Sequence, residues 1–356
     1  MLGVEPSTMQ DVAARAGVSI STVSRALRQS TLVSAQTRQR VLAAADELSF
    51  AVSRAASSLA SGKLGRIGVL VSGHLGAWFN GSILDGIYGH LRDERLELLI
   101  YRVTDSTERE QFFATLPARR NADALIVASF ALTAVEQERL NDLSMPLVYL
   151  NQRVPSAPSV SIDDVAGARM GARHLLNLGH RRIAFVKSSN QAGFLYSAAQ
   201  RIDGYRAELD AAGISEAQQV TLIAGSDTDG EEVVAQFLSQ PDLPTALMVE
   251  SDELAMSIMS ACSRIGLRVP EEVSVLGFDD HALAVTFGLS TIAQPVERLG
   301  REAASLAVTL AAAPALGRSE LSSTELTLAT ALRLRHSTAR PRVSDRLSPP
   351  HQLAAG

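Results

Sequence analysis

The sequence predicts an α/β protein: an N-terminal three-helix head, then a body of two doubly wound parallel-sheet halves. Three observations predict this. The first 50 residues show the apolar spacing of short amphipathic helices. From residue 66, short continuous apolar runs alternate with helical stretches, the pattern of parallel sheets covered on both faces. Those runs form two successive series, which makes two βα repeats with ligand sites at the carboxyl ends of their strands. A chain of 356 residues has room for two or three domains.

In the head, Met9, Val12, Ala13 and Ala16 share one helical face. Thr8 precedes them as an N-cap, with Asp11 three positions on, and Gly17 can end the helix with φ > 0. Ser19 caps a second helix through Leu27, with Val23, Ala26 and Leu27 inward. Ser34 caps a third, with Val41, Leu42, Ala45 and Leu48 inward. Two capped helices joined by a tight glycine turn, with a third beside them, make a helix-turn-helix. Residues 51–65 are small and polar, a linker in which Leu59 stands alone.

In the body the first series of strands is 67–72, 96–103, 124–129 and 146–151. The second is 182–188, 219–225, 245–251 and 273–280. A helical stretch from Pro295 to Ala312 and two short runs, 325–328 and 331–335, close it. From Ser337 the chain contains Pro341, Pro349 and Pro350 without periodicity, and reads as a disordered tail.

Composition narrows the function. Apolar residues make up 46% and charged residues 20%, a globular balance. No apolar run is long enough for a membrane span, and no secretory signal is expected at the N-terminus. One cysteine, Cys262, excludes an internal disulfide and points to the cytoplasm. The net charge is −5, but it is unevenly spread. Residues 1–63 hold seven basic and four acidic residues, a net +3, and the remainder is −8. A basic head on an acidic body suits nucleic acid.

The motif TMQDVAARAGVSISTVSRAL (8–27) carries that chemistry. Ser19, Thr22 and Ser24 sit where hydroxyls and free helix N–H groups can meet phosphates, with Thr8 and Arg28 flanking them. Ile20, Ser21 and Arg25 would face base edges: Arg25 a guanine O6 and N7, Ile20 a thymine methyl. The alternative is a helical cap unrelated to DNA.

DVAARAGVSISTVSRAL resembles the N-terminal motif of the lactose-repressor/galactose-repressor (LacI-type) family of bacterial transcription regulators. The similarity continues through VSAQTRQRVLAAADEL, SRAASSLASGK, GARMGARHLLNLGHRRIAFV, RIDGYRAEL, VSVLGFDD and LSTIAQPVERLGREA, and so spans roughly residues 8–336. The resemblance implies a repressor acting as a homodimer on a pseudo-palindromic DNA operator. It also implies a periplasmic-binding-protein-like body holding a small effector, a sugar or related polyol, with no other cofactor. The expected layout is a head at 1–51, a hinge at 52–65, a body at 66–336 and a tail at 337–356. Within the body, three crossings near Ile162, Thr291 and Thr324 would give an N-subdomain of 66–162 plus 292–323. The C-subdomain would be 163–291 plus 324–336.

The resemblance implies a hinge helix at Ser53, Arg54, Ala56 and Leu59 entering the minor groove, with Leu59 as wedge; an exposed linker leucine is the alternative. The family's tyrosine and proline–asparagine pair is missing here, where Phe50, Ala51, Val52 and Ser53 stand. Implied effector contacts are Arg201, Asp279, Gln294 and Ser251–Asp252, the last in place of the family's Asn–Asp. A carboxylate and a guanidinium facing one cleft can hold vicinal hydroxyls, unless they pair only with each other. Trp78 and Phe79 replace an aromatic pair of the family after the first strand. Trp78, the single tryptophan, either stacks on the ligand or joins the core.

Other clusters read as structural. Asp227, Asp229, Glu231 and Glu232 lack calcium-loop spacing and suit a helix N-terminus. No second histidine accompanies His281, and Cys262 sits in an apolar helical stretch. A transporter's solute-binding protein would lack the basic head, and a sugar-processing enzyme would need an acid/base constellation that is not apparent.

Overall fold

The computed structural model describes residues 7–27, 32–48, 50, 63–154, 156–189, 197–226, 229–313 and 324–342. The chain divides into two units, Met1–Gly65 and Arg66–Gly356.

In the first unit, α1 (Met9–Ala16), α2 (Ile20–Leu27) and α3 (Ala35–Glu47) form the three-helix head. Local chemistry sets each start. Thr8 and Asp11 close a capping box on α1, and Gly17 ends it at φ 62°. The Ser19 hydroxyl accepts from Thr22 N at 3.2 Å, and Ser34 Oγ accepts from Thr37 N at 3.2 Å. Val12, Ala16, Val23, Ala26, Val41 and Ala45 fill the small core, with Leu27 and Leu48 packed against it. Leu42 is 45% exposed, against the expectation that it points inward. Its neighbours Val41, Ala44, Ala45 and Leu48 occupy the i, i+3, i+4, i+7 stripe, which leaves Leu42 turned away.

In the second unit the elements run β1 (Arg66–Ser72), α4 (Trp78–Asp93), β2 (Glu97–Val103), α5 (Ser106–Thr115), α6 (Ala118–Asn121), β3 (Ala124–Ala128), α7 (Ala134–Asn141), β4 (Leu147–Leu150) and β5 (Ser159–Ile162). They continue with α8 (Asp164–Leu178), β6 (Ile183–Ser188), α9 (Ser197–Ala211), β7 (Val220–Ala224), α10 (Gly230–Leu238), β8 (Ala246–Val249), α11 (Asp252–Arg264), β9 (Ser274–Asp279), α12 (Ala284–Phe287), β10 (Ser290–Ala293), α13 (Val296–Ala312), β11 (Glu325–Leu328) and β12 (Ala331–Arg333). Two six-stranded sheets result, ordered β11-β5-β4-β3-β1-β2 and β12-β10-β9-β8-β6-β7. All pairings are parallel except β10 with β12. Helices cover both faces, so β1, β3, β8 and β9 are almost wholly buried.

The expected subdomain boundaries need correction. Thr291 lies inside β10, which pairs with β9 in the second sheet, so the second crossing follows at residues 294–295. Thr324 precedes β11, which pairs with β5 in the first sheet, so the third crossing follows at 329–330. The N-subdomain is therefore 66–162 plus 295–328. The tail expected from Ser337 also starts too early. Ser337 Oγ donates to Val275 O at 2.6 Å, and the buried His180 ring bonds Ala339 O at 2.8 Å. These bonds hold the segment through Ala339 against β9 and the turn that follows α8, while residues 343–356 lie outside the described residues.

Inside the N-subdomain, α4 and α13 meet backbone to backbone at two glycines. A Cβ on Gly86 would lie 2.0 Å from Glu297 O, and one on Gly300 2.2 Å from Ile83 O. This contact lets Ile83, Ile87 and Leu91 of α4 share a core with Leu299, Ala303 and Leu310 of α13.

Candidate functional site: a DNA-facing head and a cavity between the subdomains

On the head, α2 turns Val23 and Ala26 into the core and leaves Ile20, Ser21 and Arg25 exposed on one side. Ile20 is 47% exposed. Ser19 Oγ bonds Ser21 Oγ and Thr22 Oγ1, each at 2.8 Å, and Ser24 is half-buried beside them. The Thr8 hydroxyl proton is committed to Asp11 Oδ2 at 2.7 Å, and these bonds hold the Asp11 carboxyl below its usual range. Arg28, Ser53, Arg54, Ala56 and Leu59 lie outside the described residues.

In the body a cavity of about 150 Å³, the size class that holds one six-membered ring, opens between the subdomains. The N-subdomain lines it with Ser72, Ala77, Phe79, Asn80, Ser129 and Asn151. The C-subdomain lines it with Ser197, Ala198, Arg201, Glu250, Ser251, Glu253 and Asp279. Ser72, Ser129, Asn151, Glu250 and Asp279 all stand at or just beyond the carboxyl ends of parallel strands, where such sheets bind ligands. Ser129, Asn151 and Asp279 hold positive φ of 53°, 56° and 127°. Non-glycine residues rarely adopt this region, and such strain gathers at functional sites.

Arg201, on α9, forms the floor. Its Nε donates to Asp164 Oδ1 at 2.9 Å, its Nη1 donates to Glu250 O, and Nη1 lies 3.6 Å from Asp279 Oδ1. The guanidinium also sits 3.6 Å over the Phe278 ring. Burial opposes its charge, but Asp164 and Asp279 outweigh burial and push its pKa up. At Asp164 burial outweighs Arg201 and raises the carboxyl.

Three residues expected to touch an effector do not line the cavity. Trp78 is the first residue of α4, packed against the N-subdomain core with its ring 5.0 Å from that of His281. Asp252 is fully buried, accepting from Thr291 Oγ1 at 2.7 Å and His281 N at 2.8 Å. Gln294 donates to Asp279 Oδ1 at 2.6 Å and so positions that carboxylate from behind. Phe79, Arg201, Ser251 and Asp279 do line the cavity, although Ser251 Oγ also accepts from Leu254 N as the cap of α11.

Asn151 and Glu250 were not singled out from the sequence, though each ends an apolar run, a usable sign of a strand's carboxyl end. Asn151 is 3% exposed, and its Nδ2 donates to Ser129 Oγ and, across the cleft, to Ser197 Oγ at 2.9 Å. Its Oδ1 meets no donor among the described residues.

Burial, then the Asp279 charge, pushes the Asp252 carboxyl up to about 8. Burial pushes Asp279 up to about 7 against the pull of Arg201 and Gln294. The folded body thus holds protons that unfolded carboxyls, with pKa about 4, have already lost. Stability contributed this way is present at low pH and disappears as pH rises through about 7 to 8. Melting temperature should therefore fall between about pH 5 and about pH 8 and level off above it, and Asp252→Asn should flatten that slope. An unchanged slope in the variant would place the protons elsewhere. Because Trp78 and His281 touch across the subdomains, ligand-driven movement should also change the tryptophan emission, and His281→Ala should abolish that change.

Residues 8–53 match the family described as bacterial regulatory proteins, lacI family, and residues 172–338 match the periplasmic binding protein-like domain. Over 337 residues the chain is 32% identical to the HTH-type transcriptional regulator GalS of Salmonella typhimurium, covering 93% of this chain and 96% of that protein. The chain belongs to the lacI family of bacterial regulatory proteins. This lacI-family protein is also 29% identical over 305 residues to the HTH-type transcriptional repressor PurR of Vibrio atlanticus, covering 83% of this chain and 90% of that one. Its fold matches the lac repressor dimer bound to operator and the anti-inducer ONPF with a TM-score of 0.81 and 28% identity, over 94% of this chain and 100% of that chain. A LacI family regulator from Enterococcus faecium with bound ribose matches with a TM-score of 0.67 and 26% identity, over 78% of this chain and 100% of that chain. The lacI-family chain is a DNA-binding transcription regulator, and these relatives are named as regulators and repressors, not enzymes. No helix among the described residues is long and apolar enough to cross a membrane.

Proposed function

We propose that this regulator represses transcription in the cytoplasm as a homodimer on a pseudo-palindromic operator, and that a hydroxyl-rich effector, a sugar or polyol, sets its affinity for DNA. No other cofactor takes part. The observation that carries the reading is the cavity itself, walled by both subdomains with Arg201 and Asp279 at its floor. A ligand that touches both walls favours one relative arrangement of the subdomains, and its effect on DNA equals its differential affinity for the two arrangements. The solved relatives with operator, ONPF and ribose support the same kind of partners. Around α12, Leu283, Val285 and Phe287 are exposed together, an apolar patch of the sort that subunits cover.

Mobility shift on duplexes selected from a random library tests the DNA reading, with sugars and polyols added to the shifted complex. Arg25→Ala should relax preference at one base per half-site, by roughly 1–3 kcal/mol, and leave other positions unchanged. A uniform loss on every sequence would make Arg25 a phosphate contact instead.

A further inference from the structure

Gln294 is the residue at which the chain leaves β10 for the N-subdomain, and its backbone is bonded on both sides of that crossing. Its N–H donates to Asp279 O at 3.3 Å in the C-subdomain, and its carbonyl accepts from Val296 N, the first residue of α13, at 3.0 Å. The link between these two bonds is stiff, because Pro295 fixes its own φ and keeps Gln294 out of the helical region. Each end is anchored in its own subdomain. α13 meets α4 backbone to backbone at Gly86 and Gly300. The turn that carries Asp279 is held by Arg335, whose Nη2 donates to Asp280 Oδ1 at 2.6 Å. A rotation of one subdomain against the other therefore moves the Gln294 side chain relative to Asp279. That side chain is 6% exposed, with Nε2 committed to Asp279 Oδ1 at 2.6 Å, while Oε1 is buried and meets no donor among the described residues. An orphan acceptor of this kind opposes the arrangement that buries it. The carboxylate held by Nε2 stands on a strained turn, with φ of 127° at Asp279 and 62° at Asp280. One half of the amide thus favours this arrangement and the other half opposes it, between a strained turn and a stiff crossing.

We infer that Gln294 is a positioning residue that couples the cavity to the crossing: its amide holds Asp279 in one arrangement of the subdomains and releases it in the other. A ligand that engages Asp279 from the cavity side then acts on the crossing through this one bond. The inference rests on the reading that the arrangement of the subdomains sets the affinity for DNA.

Gln294→Met tests it, since it keeps the length of the side chain and removes both donor and acceptor. Two quantities are measured on the full chain with no ligand added. One is affinity for an operator duplex selected with the wild-type protein, corrected for the folded fraction by a melting curve. The other is the emission of Trp78, the single tryptophan, which touches His281 of the other subdomain. A charge-assisted hydrogen bond made in one arrangement only changes the ratio of the two by roughly tenfold or more. The emission should therefore shift, and operator affinity should change by about fivefold or more. On an Asp279→Ala background the amide has no carboxylate to hold, and the same substitution should change affinity by less than about twofold. Unchanged emission together with unchanged affinity in the folded variant overturns the inference. Equal changes in both backgrounds overturn it too, because Gln294 would then act through something other than Asp279. A shifted emission with unchanged operator affinity upholds the coupling and overturns the reading that the arrangement sets affinity for DNA. If Gln294→Met fails to fold, Gln294→Asn, which keeps the amide but draws it back from Asp279, is measured in the same way and decides.

Discussion

Gly86→Ala or Gly300→Ala is expected to lower the stability of the body by about 3 kcal/mol or more, a fall in melting temperature of roughly 6–12 °C. Alanine is ordinarily the better helix residue by about 1 kcal/mol, so propensity alone predicts the opposite sign. Packing decides, because each new methyl would meet a carbonyl of the facing helix at 2.0 or 2.2 Å. No rotamer change relieves a clash with backbone. The helices must separate, and the core shared by Ile83, Ile87, Leu299 and Ala303 opens with them. Gly89 on the same helix is the control. A Cβ there would sit 3.8 Å from the tip of Arg301, an ordinary contact, so Gly89→Ala should be neutral or slightly stabilising. Equal melting temperatures for Gly86→Ala and Gly89→Ala would refute the close approach.

Arg201→Ala should be nearly as damaging and should also remove the response to effector. Truncation strands the Asp164 carboxylate, only 2% exposed, and leaves Asp279 held by the Gln294 side chain among the described residues. Breaking a buried pair in this way costs about 3–5 kcal/mol. The loss should depend on pH in a definite direction. Without the guanidinium, both carboxyl pKa values rise further above their unfolded values, so the folded variant binds protons the unfolded chain does not. The deficit should shrink as pH is lowered towards about 5 and widen above about 7. Denaturant titrations of both proteins across that range measure it, and a deficit independent of pH would show that lost packing on Phe278, not stranded charge, is responsible. Arg201→Lys should not restore the wild-type behaviour, since one ammonium cannot reproduce the fork that meets Asp164, Glu250 O and Asp279 together.

The head was readable almost residue by residue because capping is local: Thr8, Asp11, Gly17, Ser19 and Ser34 act within a few positions of themselves. Leu42 was misplaced because an apolar residue beside a core stripe looks the same in sequence as one inside it. The apolar strands were equally legible, whereas β5 and β10 were not. Their sequences, SVSI and STIA, bury hydroxyl groups that look suited to a loop. The Thr291 hydroxyl donates to Asp252, the Ser290 hydroxyl accepts from Arg335 N, and Ser290 N donates to the Ser337 hydroxyl, partners that only the folded chain supplies. The same blindness moved both later crossings to the wrong side of a strand. At the cavity, Arg201 and Asp279 stood out by motif and strand end. Trp78 misled because its neighbour, His281, lies far away in the chain.

The interleaving of the two subdomains has a consequence for the ribosome. The first sheet has its strands β1 to β5 by residue 162, but α13, which covers it and fills its core, is not complete until Ala312. At 5–20 residues per second, roughly 8–30 s pass between those points. Through that interval α4 has the sheet but lacks α13, the helix it packs against, while the second sheet acquires β6 to β10 and lacks only the short antiparallel edge strand β12. The half encoded second therefore completes its core first, and the half encoded first is the one exposed to chaperones and proteases while it waits for a helix still being translated.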